Sequence, residues 1–228
     1  MCSAPRVVLT GLLGVAVLGA CGAPPPDPAT AVQATSRHMS GLKGFHFSLA
    51  VDGATGASMP VQRAEGNAHP PDLSSSVDLV EAGLLIELDV VIAKDQVYVK
   101  SVTGGWQRLS AEEVSQFFDV NALFDQDTGL FAAMRDTAGL RREGQEKVAG
   151  HDTWLISGTL PAARVHALLP VAREAGTYAA HYWIESPANR LWRASIQGRL
   201  FEAGRDATVT FNFSKHDQPV NVTPPPLG

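Results

Sequence analysis

The stretch SSVDLVEAGLLIELDVVIAKDQVYVKSV, residues 75–102, reads as consecutive strands joined by short turns. Val77 and Leu79 alternate with Ser76 and Asp78, and Leu84, Ile86, Leu88, Val90 and Ile92 alternate with Glu87 and Asp89. After the turn AKDQ, Val97 and Val99 stand opposite Tyr98 and Lys100. A period of two sends successive side chains to opposite faces, so each segment has one apolar and one polar face. Connections this short cannot carry a crossover, and the neighbours are therefore antiparallel. The expected element is a sheet that is dry on one side and wetted on the other.

The same pattern extends in both directions. Upstream, in FHFSLAVD (45–52), Phe45, Phe47, Leu49 and Val51 share one face while His46, Ser48 and Asp52 share the other. Before it, PATAVQATSRHMSGL is Ala-rich, closes on Gly41 and reads as a weak helix. Downstream, EGQEKVAG, DTWLISGTL, TYAAHYWIES, LWRASIQGRL and DATVTFNFSK return to strand alternation. PAARVHALLP reads as a short helix, with Pro161 in its first turn and Pro170 at its end. A helical insertion separates the two sets of strands. SAEEVSQFFDV opens with Ser110 and Glu113 at capping-box spacing, and Val114, Phe117 and Phe118 fall on one helical face. In LFAAMRD, Leu130, Phe131 and Met134 repeat the pattern. No internal repeat and no boundary divides residues 30–222.

The N-terminal segment is of a different kind. Residues 7–20, VVLTGLLGVAVLGA, follow a single Arg6 and form an apolar run too short and too Gly-rich to span a membrane. A charged start, an apolar middle and a small-residue exit are the layout of a secretory signal. The exit Leu18-Gly19-Ala20-Cys21 resembles a bacterial lipobox, in which the thiol is alkylated by diacylglycerol before cleavage. Residues 1–20 are then a lipoprotein signal peptide, and Cys21 becomes a diacylglyceryl cysteine bearing palmitate-type chains. Pro-rich residues 21–30 form a tether, and residues 31–228 form one domain. Cys2 lies in the removed part, so no disulfide forms within the exported domain.

Several functions are disfavoured. With 18 basic and 23 acidic side chains, the balance is mildly acidic, unlike the clustered basic surface of a nucleic-acid binder. There is no G-x-S-x-G, no H-E-x-x-H, no S-x-x-K with its partner motifs and no Gly-rich phosphate loop. The 7 histidines are scattered, and none pairs with another at metal-ligand spacing. The expectation is a protein that is not an enzyme and needs no cofactor.

The strings DQDTGL (125–130), EGQEKVAG to LISG (143–158), YWIE (182–185) and SKHDQPVNVTPPP (214–226), together with the lipobox, carry a resemblance. In their order and spacing the chain resembles the LppX/LprA/LprF/LprG lipoproteins of the mycobacterial-type cell envelope, most closely the LprG type. It departs at 60–76, where VQRAEGNAHPPDLSSS is polar and carries a Pro pair expected to break a strand, and at 171–180, expected to be a loop. Both segments are expected to rim the mouth of a pocket.

The resemblance implies an α+β fold: a single strongly curved antiparallel sheet, a half-barrel similar to LolA and LolB, with helices over its concave face enclosing an apolar cavity. It implies a lipoprotein, anchored on the outer face of the plasma membrane, that binds triacylated lipids or glycolipids and carries them toward the outer envelope. A major-facilitator-type lipid exporter is the implied partner. The residues expected to line the cavity are Phe47, Leu49, Val77, Leu79, Ile86, Leu88 and Val90 from the strands, with Phe117, Phe118, Leu130, Phe131 and Met134 from the helices. The alternative is a non-carrier envelope lipoprotein, with a filled core, that docks on a transporter or sensor and regulates it.

Overall fold

The computed structural model describes residues 25–110, 113 and 124–227. The chain begins with helix α1 (Pro28–Ser40), followed by strands β1 (Phe45–Asp52), β2 (Val61–His69), β3 (Asp72–Glu81), β4 (Leu84–Ala93), β5 (Gln96–Ser101) and β6 (Gln107–Leu109). A short helix α2 (Leu130–Ala133) continues into a 3-10 turn (Met134–Asp136). Strands β7 (Ala138–Val148) and β8 (His151–Pro161), helix α3 (Ala162–Leu168), and strands β9 (Thr177–Glu185), β10 (Arg190–Glu202) and β11 (Arg205–Ser214) complete it.

All 11 described strands form one antiparallel sheet in the order β6-β5-β4-β3-β2-β1-β11-β10-β9-β8-β7. The sheet is strongly curved and open, with β6 and β7 as its edges, and the helices lie over its concave side. Neighbouring strands are consecutive in the chain except β1 and β11, whose pairing brings the two halves of the chain together at the centre, and β6 and β7 end up at opposite edges. Local turn chemistry sets the register of three hairpins. Ala82-Gly83, Lys94-Asp95 and Ala149-Gly150 hold positive φ at both central residues, as two-residue primed turns require.

The Pro pair does not interrupt a strand. Pro70 and Pro71 form the turn between β2 and β3, where neither missing N–H leaves a ladder bond unmade. Segment 60–76 is thus a central hairpin of the sheet. Its inner face carries Ala64, Gly66 and Ala68, opposite Leu49, Phe47 and Phe45. At Gly66 a Cβ would lie 2.1 Å from the Ser74 carbonyl oxygen, so β3 could not keep its place against any larger residue. The expected loop at 171–180 is shorter than anticipated, because β9 begins at Thr177.

Helix α1 is fixed at its start by Asp27, whose carboxylate accepts from the Thr30 N–H at 2.9 Å and the Thr30 hydroxyl at 2.8 Å. Ala31, Val32, Thr35, Ser36 and Met39 are buried on one face. The Ser36 hydroxyl donates to the Phe131 carbonyl at 2.7 Å, tying α1 to α2. Under these two helices Phe45 meets Phe131 and Phe213 edge-on, with ring centroids 5.7 and 5.8 Å away. This aromatic cluster closes one end of the concave side.

The expected capping box forms. The Ser110 N–H donates to Glu113 Oε2 at 2.8 Å, and the Glu113 N–H donates to Ser110 Oγ at 3.2 Å. The remainder of the expected helix lies outside the described residues.

Candidate functional site

Beyond the aromatic cluster the described residues leave space on the concave side. A cavity of about 400 Å3 lies between the sheet and the helices, within the range of ligand pockets. Its floor is the apolar strand face. Phe47 and Leu49 come from β1, Val77 and Leu79 from β3, and Leu88 and Val90 from β4. These side chains are only half-buried although they point to the concave side, which is the mark of a face that meets space instead of a packed layer. Small residues make that space. Ala64, Ser75 and Ala194 stand on the floor where neighbouring strands carry Leu, Val or Phe.

The helical side is formed by α2 and α3. Leu130, Phe131 and Met134 line the cavity from α2 and the turn that follows it. Phe131 and Met134 are buried, so they also support the aromatic cluster. Val165, Leu168 and Leu169 line it from α3 and the residue after it.

Ile86 shares the inner face of β4 with Leu88 and Val90 but is not among the lining residues. It sits one step nearer the β3–β4 turn, paired with the lining residue Leu79. Phe117, Phe118 and Cys21 lie outside the described residues. Sequence reasoning missed the contributions of β10 and β11, among them Ile196 and Phe211, and of α3. The alternation in LWRASIQGRL and DATVTFNFSK was the available signal, but pairing β11 with β1 is what brings those strands to the same floor.

Polar groups are few: the Ser75 and Ser195 hydroxyls, Tyr182 and Arg164. Among the described lining residues Arg164 is the single charged side chain, and its Nε is paired with the Asp136 carboxylate. Its Nη2 lies 3.4 Å from the Asp127 carbonyl oxygen. Tyr182 and Thr137 share a buried hydroxyl–hydroxyl hydrogen bond of 2.7 Å. Burial pushes the Tyr182 phenol up to about 12, so it stays neutral. Among the described residues no three metal-ligating side chains come together. The surface thus offers hydrocarbon contact along its length and one neutralised ion pair near the helices.

The family model for the LppX_LprAFG lipoproteins matches residues 27–222. The chain belongs to the LppX_LprAFG lipoprotein family. Among relatives, the lipoarabinomannan carrier protein LprG of Mycobacterium tuberculosis is 26% identical over 208 residues, covering 90% of this chain and 85% of that protein. The protein of the same name from Mycolicibacterium smegmatis is also 26% identical, over 207 residues, covering 89% and 85%. The crystal structure of LprF from Mycobacterium bovis superposes with a TM-score of 0.74 at 21% identity, covering 91% of this chain and 100% of that one. This likeness shows that the LppX_LprAFG fold is shared. No described helix is long and apolar enough to cross a membrane.

Proposed function

We infer that this chain is an envelope lipoprotein that takes the acyl chains of a lipid or glycolipid into its concave cavity and carries them from the plasma membrane toward the outer envelope. The observation that carries the reading is the hollow between sheet and helices, walled by apolar side chains and bordered by one neutralised ion pair. The physical need is large. An acyl chain leaving a bilayer exposes on the order of 15 methylenes at about 0.8 kcal/mol each, roughly 12 kcal/mol in all. A dry cavity removes most of that barrier while a headgroup remains in water. The name of the LprG relatives, lipoarabinomannan carrier proteins, supports a lipid bearing a large glycan as the class of cargo.

In this reading Cys21 carries the diacylglyceryl anchor on the outer face of the plasma membrane, and Phe117 and Phe118 join the described helices around the chains. Loaded cargo passes to or from a major-facilitator-type exporter in the same membrane. The regulator alternative calls for a filled core, and the half-buried floor weighs against it. Native mass spectrometry of protein lacking residues 1–21, made in an actinobacterial host, tests the proposal. Stoichiometric acylated lipid is the expected result, whereas protein that emerges lipid-free and refuses added glycolipid would refute it.

A further inference from the structure

The inner face of β4 reads Ile92, Val90, Leu88, Ile86, Leu84, and its exposure rises along that order. Ile92 is 2% exposed, Val90, Leu88 and Ile86 are half-buried, and Leu84 is 68% exposed. At about 3.4 Å per residue this apolar row runs for roughly 27 Å from the buried end of the cavity to the tip of the β3–β4 hairpin. Along β1 and β11 the described inner row is instead closed off, with Val209, at the cavity wall, and its partner Val51 buried beyond Leu49 and Phe211. The β4 row has a terminus of its own kind. Leu85, on the other face of the tip, is 69% exposed, and Val102, at the neighbouring β5–β6 turn, is 79% exposed. Among the described residues these three and Leu227 are the exposed large hydrophobics.

Such a cluster at the end of a two-residue turn adds nothing to the fold and invites association. We propose that the β3–β4 tip, with Val102, inserts into the surface of the lipid bilayer, and that the β4 row is the track along which an acyl chain slides between leaflet and cavity. The proposal rests on the carrier reading, and continuity with the cavity is what selects a bilayer as the occupant. The tip is continuous with an apolar surface whose cargo resides in membranes, and it belongs to a lipoprotein family. The acidic groups of the hairpin, Asp78, Glu81, Glu87 and Asp89, give no attraction for anionic headgroups. Insertion is therefore driven by apolar burial.

The test uses the full chain in the membranes of a mycobacterial host, with the photoreactive residue benzoylphenylalanine placed singly at Leu85, Val90 or Leu227. The expected result is a lipid adduct at Leu85 at least about tenfold above that at Leu227, which is also solvent-facing, and a lipid adduct at Val90 inside the cavity. Replacing Leu84 by Asp in the Leu85 probe protein is expected to lower the adduct roughly fivefold by removing one apolar side chain from the leaflet. Adducts at Val90 without any at Leu85 would overturn the insertion while leaving the carrier reading intact. Adducts at Leu85 without any at Val90 would keep the tip in the membrane and refute the cavity as a lipid site. A protein-sized adduct at Leu85, in place of lipid, would overturn the bilayer as the occupant.

Discussion

Two parts of the concave face are built from the same alternating strands and end differently. Around Phe45, Phe131 and Phe213 the inner face of the sheet meets α1 and α2, and the side chains are buried. Across β3 and β4 the equivalent face borders the cavity among the described residues, and Val77, Leu79, Leu88 and Val90 are half-buried. The first region stabilises the fold through dense contact, and the second keeps its apolar surface for something else. Apolar alternation therefore specifies which way side chains point and leaves open whether that side is filled.

The contrast can be broken most directly by truncation. Phe131→Ala, in the filled region, is expected to lower stability by about 3–5 kcal/mol. Leu88→Ala, on the hollow floor, is expected to cost only about 1 kcal/mol, because that side chain has less packing to lose. Urea denaturation of both variants measures the difference, and equal losses would mean that the hollow is filled in solution.

A second effect comes from Tyr182, which bridges the regions through Thr137. Its phenol is raised to about 12 by burial, so the folded state holds the proton more tightly than the unfolded state does. The contribution is complete below about pH 10 and is lost as pH rises through about 12, amounting to about 3 kcal/mol. Tyr182→Phe should flatten that alkaline limb in pH-dependent unfolding. At neutral pH it should cost about 1 kcal/mol for the hydroxyl bond to Thr137.

Filling the hollow sharpens the comparison from the other side. Val77→Trp is expected to change stability by no more than about 1 kcal/mol, since space is available, while reducing bound lipid about fivefold or more in native mass spectra. Unfolding of this variant would show that the floor at Val77 is already packed.

The smallest effect concerns His216, at the filled end. Its ring pKa is lowered chiefly by burial, with the Leu191 carbonyl accepting its Nε2–H at 3.0 Å. A depressed folded value gives stability that is present above pH 6.5 and lost as pH falls through the folded pKa. His216→Gln is expected to soften the acid limb slightly in thermal melts at pH 4 to 7.

Much of the fold was legible along the chain. The alternation of β3 and β4 is written in Val77, Leu79, Leu88 and Val90, that of β1 in Phe47 and Leu49 and that of β5 in Val97 and Val99, and the short connections between them were read as turns. The hairpin of β2 and β3 was harder to see, because its inner face is Ala64, Gly66 and Ser75, and small residues leave no hydrophobic period. Ala64 and Ser75 also line the hollow. Ile86 fitted the period yet is not among the lining residues, since a period gives a face and not a position along it. Arg164 carried no signal at all, as a single Arg on a short helix gains meaning only when Asp136 arrives beside it.

The sequence by itself determined much of the local order: the alternation of β1, β3, β4 and β5, which way their side chains point, and the short turns that join β3 to β4 and β4 to β5. These depend on interactions within a few residues. The tertiary structure alone decided that β11 pairs with β1, that α1 and α2 fill one end, and that the other end stays hollow with an apolar row leading out to Leu84. The reason is physical. Whether an apolar face is packed depends on what volume faces it from distant segments, and no local pattern encodes that volume.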